Sequence, residues 1–191
     1  MKRLMCLLLA LLLALLLGMG SLSAAAEGKS GNIFACDYYV MTLPEDWIFD
    51  TEDLTDLGDY RELGYFYPDD DEGIFLMADM QFYEDWEEIS LWEVEELGVT
   101  LYAQATVDDF EDEYGVLKEI YLAGDVPFLI IQAKSEDGAF YYADTLDQGR
   151  SLCFYAYWMT EDGYADTLPD TMLDQLKSIL DTFRLTSRMG F

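Results

Sequence analysis

The feature that most constrains the fold is a run of strand-like segments between residues 116 and 159. Asp-Gly and Gly-Asp pairs interrupt this run, and such pairs favour tight hairpin turns because they tolerate positive φ angles. The turns are Gly124-Asp125, Glu136-Asp137-Gly138 and Asp147-Gln148-Gly149. These three turns separate four segments (117–122, 128–133, 139–145 and 152–158), which are rich in branched aliphatic and aromatic residues. The pattern predicts four strands in an antiparallel meander.

Strand patterns also precede the meander. The segment 34–43 is rich in Tyr and Val, Pro44 interrupts it, and the pattern resumes at Trp47, which predicts two strands joined by a short proline turn. Two further strands are predicted over 62–67 and 73–83, on either side of an acidic turn.

Two helices are expected. Ser90-x-x-Glu93 has the spacing of a capping box, and the apolar residues after it recur at three- and four-residue steps. These residues are Leu91, Val94, Leu97, Leu101 and Ala105. A last helix is predicted from about Thr167, and its apolar face should pack against the sheet. That face carries Met172, Leu173, Leu176, Ile179, Leu180 and Phe183.

The amino terminus has the three parts of a secretory signal peptide. Lys2 and Arg3 precede an apolar run over 4–19, and small residues then lead to Ala26. A membrane anchor is the alternative, but a spanning helix needs about 20 apolar residues and this run is shorter. Cys6 lies too early for lipidation. We expect a signal peptide over 1–26, a flexible lead-in over 27–32, a single domain over 33–186, and a secreted or extracytoplasmic protein.

Charge limits the partners of such a domain. Without its first 26 residues the chain keeps all 39 acidic residues but only eight of its ten basic ones, so the formal charge deepens from −29 to −31. A polyanion of this kind repels nucleic acid and anionic lipid. We therefore expect an unknown protein or a neutral or cationic envelope component as partner, with no nucleic acid and no stable membrane insertion. Solubility of an exported protein is the simpler explanation of this charge.

The chain has no histidine, which excludes Ser-His-Asp, Cys-His and His-Glu-x-x-His chemistries. Paired carboxylates need no histidine to hydrolyse a polymer. A carboxylate-dependent hydrolase acting on an extracellular polymer therefore stays open as the alternative function. It requires a deep cleft that holds two carboxyl groups with separated pKa values.

Cys36 and Cys153 are the two cysteines of the predicted domain. In an oxidising compartment they are candidates for a disulfide that would close a long loop and stabilise the fold by about 4 kcal/mol. Two buried thiols that act as small apolar residues are the alternative.

The order of these elements resembles the PsbP-like domain family. The resemblance rests on the segment Tyr39-Val40-Met41-Thr42-Leu43-Pro44-Glu45-Asp46-Trp47 and on the helix end Ile179-Leu180-Asp181-Thr182-Phe183-Arg184. It implies an α+β fold in which an antiparallel β-sheet is flanked by helices, an α/β/α sandwich. It also implies protein binding rather than catalysis. Histidines linked to metal sites in the photosystem member of the family have no counterpart in this chain.

Acidic and aromatic residues supply the candidate sites. Asp69, Asp70, Asp71 and Glu72 offer oxygen ligands of the kind that calcium selects. Their spacing does not fit an EF-hand loop, so a solvated acidic turn is the simpler interpretation and no cofactor is otherwise expected. Glu45, Asp46 and this turn are the candidate partner surface.

Aromatic residues of neighbouring predicted strands, Tyr141-Tyr142 and Tyr155-Ala156-Tyr157-Trp158, point to both faces of the sheet. The sandwich predicts that helices cover both faces, and an uncovered face would instead be a recognition surface. The sequence as a whole predicts an exported non-catalytic binding or accessory module.

Overall fold

A computed structural model describes residues 32–70, 72–110 and 115–189. The predicted signal peptide lies outside the described residues, as does all of the lead-in except Asn32. Within the described part of the chain, none of the helices has the length and apolarity that crossing a membrane requires.

A large antiparallel sheet forms the centre of the molecule. Its main path has seven strands, and a short eighth strand, β10 (Gly163–Tyr164), pairs with β9. The spatial order is β3 (Trp47–Asp50), β4 (Tyr60–Pro68), β5 (Gly73–Phe82), β9 (Arg150–Thr160), β8 (Ala139–Asp147), β7 (Val126–Lys134) and β6 (Val116–Ala123).

The predicted meander is confirmed. Strands β6 to β9 pair with their chain neighbours in antiparallel register. Turn chemistry explains the register at the β8–β9 hairpin, where Gln148 and Gly149 have φ angles of 51° and 73°. A Cβ at Gly149 would lie 2.8 Å from the backbone oxygen of Tyr83, so only glycine fits this turn.

One face of the large sheet is covered by a second layer of the structure. The covering layer is a small sheet, β1 (Ile33–Ala35), β2 (Tyr39–Thr42) and β11 (Arg184–Leu185), together with helix α2 (Met172–Leu180). The Tyr39 ring lies 5.5 Å from that of Phe154 and 5.0 Å from that of Phe183, and all three residues are fully buried. We call this side the covered face; α2 packs there as predicted, although it begins at Met172.

The opposite face is only partly covered, and we call it the open face. Helix α1 (Glu96–Asp108) lies over the β7 side of the sheet, where Val99 and Ala103 pack on Leu129. Phe110, just after the helix, reaches Tyr142 of β8 with 5.0 Å between ring centres. Over β4, β5 and β9 the aromatic side chains of this face stay partly exposed.

The predicted α/β/α sandwich is wrong. The structure is mainly antiparallel β-sheet, and its two described α-helices have 13 and nine residues. On the covered face a second sheet supplies much of the layer that the prediction gave to helices. On the open face α1 is too short to reach across seven strands, which lie about 4.8 Å apart.

The helix predicted from Ser90 is also wrong in its start and its buried face. Leu91–Glu93 forms a separate 3₁₀ turn, and Val94 is extended, so the helix begins only at Glu96. The hydroxyl of Ser90 does not cap a helix, because it donates to Asp147. The interruption shifts the helical phase: Leu97 and Leu101 are 69% and 63% exposed.

Candidate functional site

The acidic residues predicted as a partner surface come together in space. Glu45 and Asp46 lie in the turn between β2 and β3, and the amide of Asp69 donates a 2.9 Å hydrogen bond to the backbone oxygen of Asp46. Asp69, Asp70 and Glu72 are exposed at the β4–β5 turn, and Asp71 lies outside the described residues. The two predicted stretches therefore form one acidic end of the sheet.

Calcium binding at this end stays a prediction. Among the described residues, no three or more carboxylates or thiolates gather closely enough to hold a metal ion. An acidic turn exposed to solvent needs no ion to balance its charge, because water screens it.

The structure does not bring the two cysteines together. Cys36 packs against the core of the covered face, whereas Cys153 is buried in the cluster of the open face. Both are free thiols. The Cys153 thiol lies 2.9 Å from the Tyr142 hydroxyl and 3.1 Å from that of Ser151. This arrangement corresponds to the alternative of two separate thiols.

The most distinctive surface of the molecule is a layer of partly exposed aromatic rings on the open face. We call it the aromatic platform, and it consists of Tyr65, Tyr67, Phe75, Tyr157 and Tyr164. Phe75 is at its centre, with ring centres at 5.9 Å for Tyr65, 6.1 Å for Tyr67 and 5.6 Å for Tyr164. Tyr157 stacks on Tyr164 at 4.6 Å.

Strand alternation produces this platform. Successive side chains of a strand point to opposite faces, and residues paired across strands share a face. Phe75 pairs with Tyr157 on the open face, whereas Leu76 pairs with Ala156 on the covered face, where both are fully buried. The same strands β5 and β9 thus supply core on one side and an aromatic surface on the other.

Carboxylates surround the platform. Asp50 pairs with Tyr65 across β3 and β4, and burial together with the charges of Glu62 and Asp50 raises the pKa of Tyr65. Burial and Asp137 raise the pKa of Tyr164. Tyr65 and Tyr164 therefore keep their hydroxyl protons at neutral pH, and the neighbouring carboxylates favour cations.

The basic residues of β4 and β9 point away from the platform. Arg61 pairs with Met80 and approaches Tyr38, both on the covered side. The Arg150 guanidinium lies 5.7 Å from the centre of the Phe82 ring, also on that side. The platform is thus free of basic side chains from these two strands.

A row of buried polar residues adjoins the platform on the open face. Asp79, Cys153 and Asp144 lie side by side across β5, β9 and β8, and their exposed fractions are 5%, 4% and 0%. Asp144 accepts 2.7 Å hydrogen bonds from Ser151 and from Tyr102 of α1. We call these three residues the buried acid row.

Burial raises the pKa of both carboxyl groups in the row. The pKa of Asp79 rises to about 7, mainly through burial and further through the charge of Asp144, although hydrogen bonds with Cys153 and Tyr60 oppose the rise. Burial likewise raises the pKa of Asp144, against its hydrogen bonds with Ser151, Tyr102 and Cys153. Because two neighbouring buried carboxylates cannot both ionise cheaply, the row retains a proton below about pH 7.

The alternative hydrolase function required a cleft around such a pair. Two surface cavities, of about 430 and 450 Å³, lie elsewhere, at the two ends of β6. Asp144 is sealed beneath α1. Neither of these two cavities is lined by the carboxyl groups of the buried acid row.

Comparison with solved structures shows a likeness in fold. The fold is similar to the solution structure of cyanobacterial PsbP (CyanoP) from Synechocystis sp. PCC 6803. The sequence identity is 14%, the TM-score is 0.46, and the match covers 88% of this chain and 99% of that chain. It names the same family as the sequence resemblance, but a match this loose carries no inference about function. No protein-family model matches the chain, and no curated protein matches it.

The sequence analysis missed the buried acid row. One signal was available, since Asp79 and Asp144 each lie between apolar or small residues within a strand, as in Ala78-Asp79-Met80 and Ala143-Asp144-Thr145. An acid in such a position is either at an exposed face or buried with partners. Only the pairing of β5, β9 and β8 shows that two of them share one site.

Proposed function

We propose that the protein is an exported, non-catalytic binding module that docks a basic partner protein on its aromatic platform. The observation that carries the proposal is a layer of five rings that four ring contacts connect, partly exposed on a sheet face and bordered by carboxylates. Export rests on the predicted signal peptide.

Ring geometry favours this function. Tyrosine and phenylalanine supply rigid contact area, and interface hot spots are enriched in such aromatic residues. The platform rings already stack on one another, so docking immobilises little that was free before. A Lys or Arg side chain placed over a ring gains about 0.5–2 kcal/mol from the cation–π interaction.

Charge favours the same partner. The chain has a formal charge of −29, and a field of this sign accelerates encounter with a basic protein in a salt-dependent way. Asp50 and Glu62 supply negative charge at the edge of the platform. A Lys- or Arg-bearing surface would thus meet both its charge and its aromatic complement in one place.

A titration with a short peptide of alternating arginine and glycine tests the proposal. Tyr164→Ala should weaken binding about tenfold, equivalent to about 1.4 kcal/mol. Tyr83→Ala is the matched control, because Tyr83 is 42% exposed and Tyr164 38%, while Tyr83 contacts Trp86 and lies off the platform.

Each outcome of this titration is informative. Equal weakening by the two substitutions, or by neither, would show that the peptide binds through diffuse charge alone and would contradict docking on the platform. If an uncharged glucan binds instead, and only Tyr164→Ala weakens it, the platform is a binding site but the basic partner is wrong.

A further inference from the structure

Strand β6 is an edge of the large sheet. The sheet order ends at this strand, and β7 is its single neighbour among the described strands. A β-bulge falls between Leu117 and Glu119, after which 119–123 pair regularly with 126–130. Backbone groups along the outer side of an edge strand are available to another strand.

Apolar side chains are unusually exposed along this edge. Val116 and Leu122 are 59% and 61% exposed, and Leu117 and Ile120 are 37% and 38% exposed. Four of the eight residues of β6 therefore present apolar surface to solvent. Leu117, Ile120 and Leu122 share the open face of the sheet, because they pair with alternate residues of β7. Single exposed apolar residues are common, but a group of them on one face marks an interaction site.

The same edge collects the basic residues of a strongly acidic chain. Of the seven basic residues within the described ranges, five lie on β6 or beside it: Lys118, Lys134, Lys177, Arg184 and Arg188. Lys177 pairs with Glu119, Arg188 with Asp125, and Lys134 with Asp166. Lys118 and Arg184 have no ion pair with a carboxylate of the described residues.

A cavity lies at each end of the strand. Val116 and Lys118 contribute to one of about 450 Å³, which Lys134 also lines. Ala123 contributes to the other, of about 430 Å³, which Arg184 and Arg188 line. The length of β6 separates the cavities by roughly 23 Å at about 3.3 Å per residue.

We propose that β6 is a strand-addition site for an extended acidic segment of a partner protein. The segment adds to the sheet beside β6 through backbone hydrogen bonds, and its apolar side chains cover Ile120 and Leu122. Its carboxylates reach the basic cavities at the two ends. Main-chain bonds give affinity in this mode of recognition, and pockets for individual side chains give specificity.

Charge and shape favour this occupant over a second copy of the chain. Lysines and bulges on an edge hinder self-pairing of sheets, and β6 carries both, Lys118 and the bulge beside it. An acidic strand instead neutralises Lys118 and Arg184. This site is separate from the aromatic platform and does not depend on it.

A set of synthetic eight-residue peptides that alternate glutamate with valine, isoleucine or leucine tests the proposal by fluorescence anisotropy. At least one should bind, and Leu122→Asp should weaken it tenfold or more. Leu97→Asp is the matched control, because Leu97 is 69% exposed on α1 and Leu122 61% exposed on β6. Bound peptide should also slow amide hydrogen exchange in 116–123.

Several results would overturn the assignment. One is that no peptide of the set binds below about 1 mM. Others are equal weakening by the two substitutions, unchanged hydrogen exchange in 116–123, or equal binding of peptides with lysine in place of glutamate. Sedimentation that shows a dimer of the protein alone, dissociated by Leu122→Asp, would assign the edge to a second copy instead.

Discussion

The two faces of the large sheet use the same residue types for opposite purposes. On the covered face, Phe154 of β9 is fully buried against Tyr39 of the second sheet and Phe183, which follows α2. On the open face, Tyr157 of the same strand β9 and Phe75 of the neighbouring strand β5 stay partly exposed. The difference in burial comes from what covers each face, because these strands carry aromatic residues on both faces.

Polar groups divide between the faces in a related way. The buried hydroxyl of Tyr39 on the covered face has no hydrogen-bond partner among the described residues. On the open face, Asp144 has several donors although it is completely buried. The Thr145 hydroxyl, on the same face as its strand partner Leu152, is also buried without a partner in the described part of the chain. The covered face is thus an apolar core that tolerates these two orphaned hydroxyls, and the open face contains a satisfied polar network.

Removal of one phenylalanine from each face should give the largest contrast. Phe154→Ala should lower the free energy of unfolding by about 3–5 kcal/mol, because it leaves a sealed cavity. Phe75→Ala should cost about 1 kcal/mol, because solvent and neighbouring rings can fill the space. Urea denaturation of both variants measures the difference, and similar losses would show that the open face is covered in solution.

The buried acid row should make stability depend on pH. The pKa of Asp79 is about 7 in the folded protein, against 3.8 ordinarily, so the folded state keeps a proton that the unfolded chain loses. Stability from this group is therefore fully present below about pH 4 and is lost as the pH rises to about 7, by up to about 4 kcal/mol.

Asp79→Asn should remove this dependence. The variant should match the parent near pH 4 and be more stable by up to about 4 kcal/mol near pH 8. Urea denaturation across this range measures the effect, with Asp46→Asn as an exposed control that should change little. A parallel pH profile for the Asp79→Asn and parent proteins would show that Asp79 is not buried as described.

Tyrosine-to-phenylalanine substitutions should have opposite signs on the two faces. Tyr39→Phe removes an unpartnered buried hydroxyl and should stabilise the fold by about 1 kcal/mol. Tyr102→Phe removes a donor to buried Asp144 and should destabilise it by about 1–3 kcal/mol. Thermal unfolding compares the two, and equal signs would contradict the division of polar groups between the faces.

The smallest effect concerns the two cysteines. Because Cys36 and Cys153 pack in clusters on opposite faces, a mass spectrum of unreduced protein should show no loss of two hydrogens. Burial raises the pKa of both thiols, so alkylation should be slow until the protein unfolds. A mass lower by two hydrogens would restore the disulfide prediction.

Local chemistry made much of the fold predictable from sequence. The meander could be predicted from its Asp-Gly and Gly-Asp turns, because the geometry of such turns depends on adjacent residues alone. The apolar face of α2 was also predicted, since Met172, Leu176, Ile179 and Leu180 are all buried.

What failed depended on contacts between distant segments. The prediction that a helix starts at Ser90 was wrong, because the Ser90 hydroxyl donates to Asp147, which lies far along the chain. The small covering sheet was not predicted, because β11 joins β2 from the other end of the domain. The acidic end was proposed as one surface and does come together, whereas the platform depends on the extent of α1, which sequence periodicity misplaced.

The pairing of β5 with β9 has a consequence for how the chain folds. Strands β6 to β9 can form as successive hairpins within microseconds. Strand β5 instead pairs with β9, which follows it in the chain only after β6, β7 and β8. Closing so long a loop slows folding and leaves the apolar edge of β5 exposed meanwhile. During synthesis β5 therefore stays without its β9 partner until residue 160 has emerged.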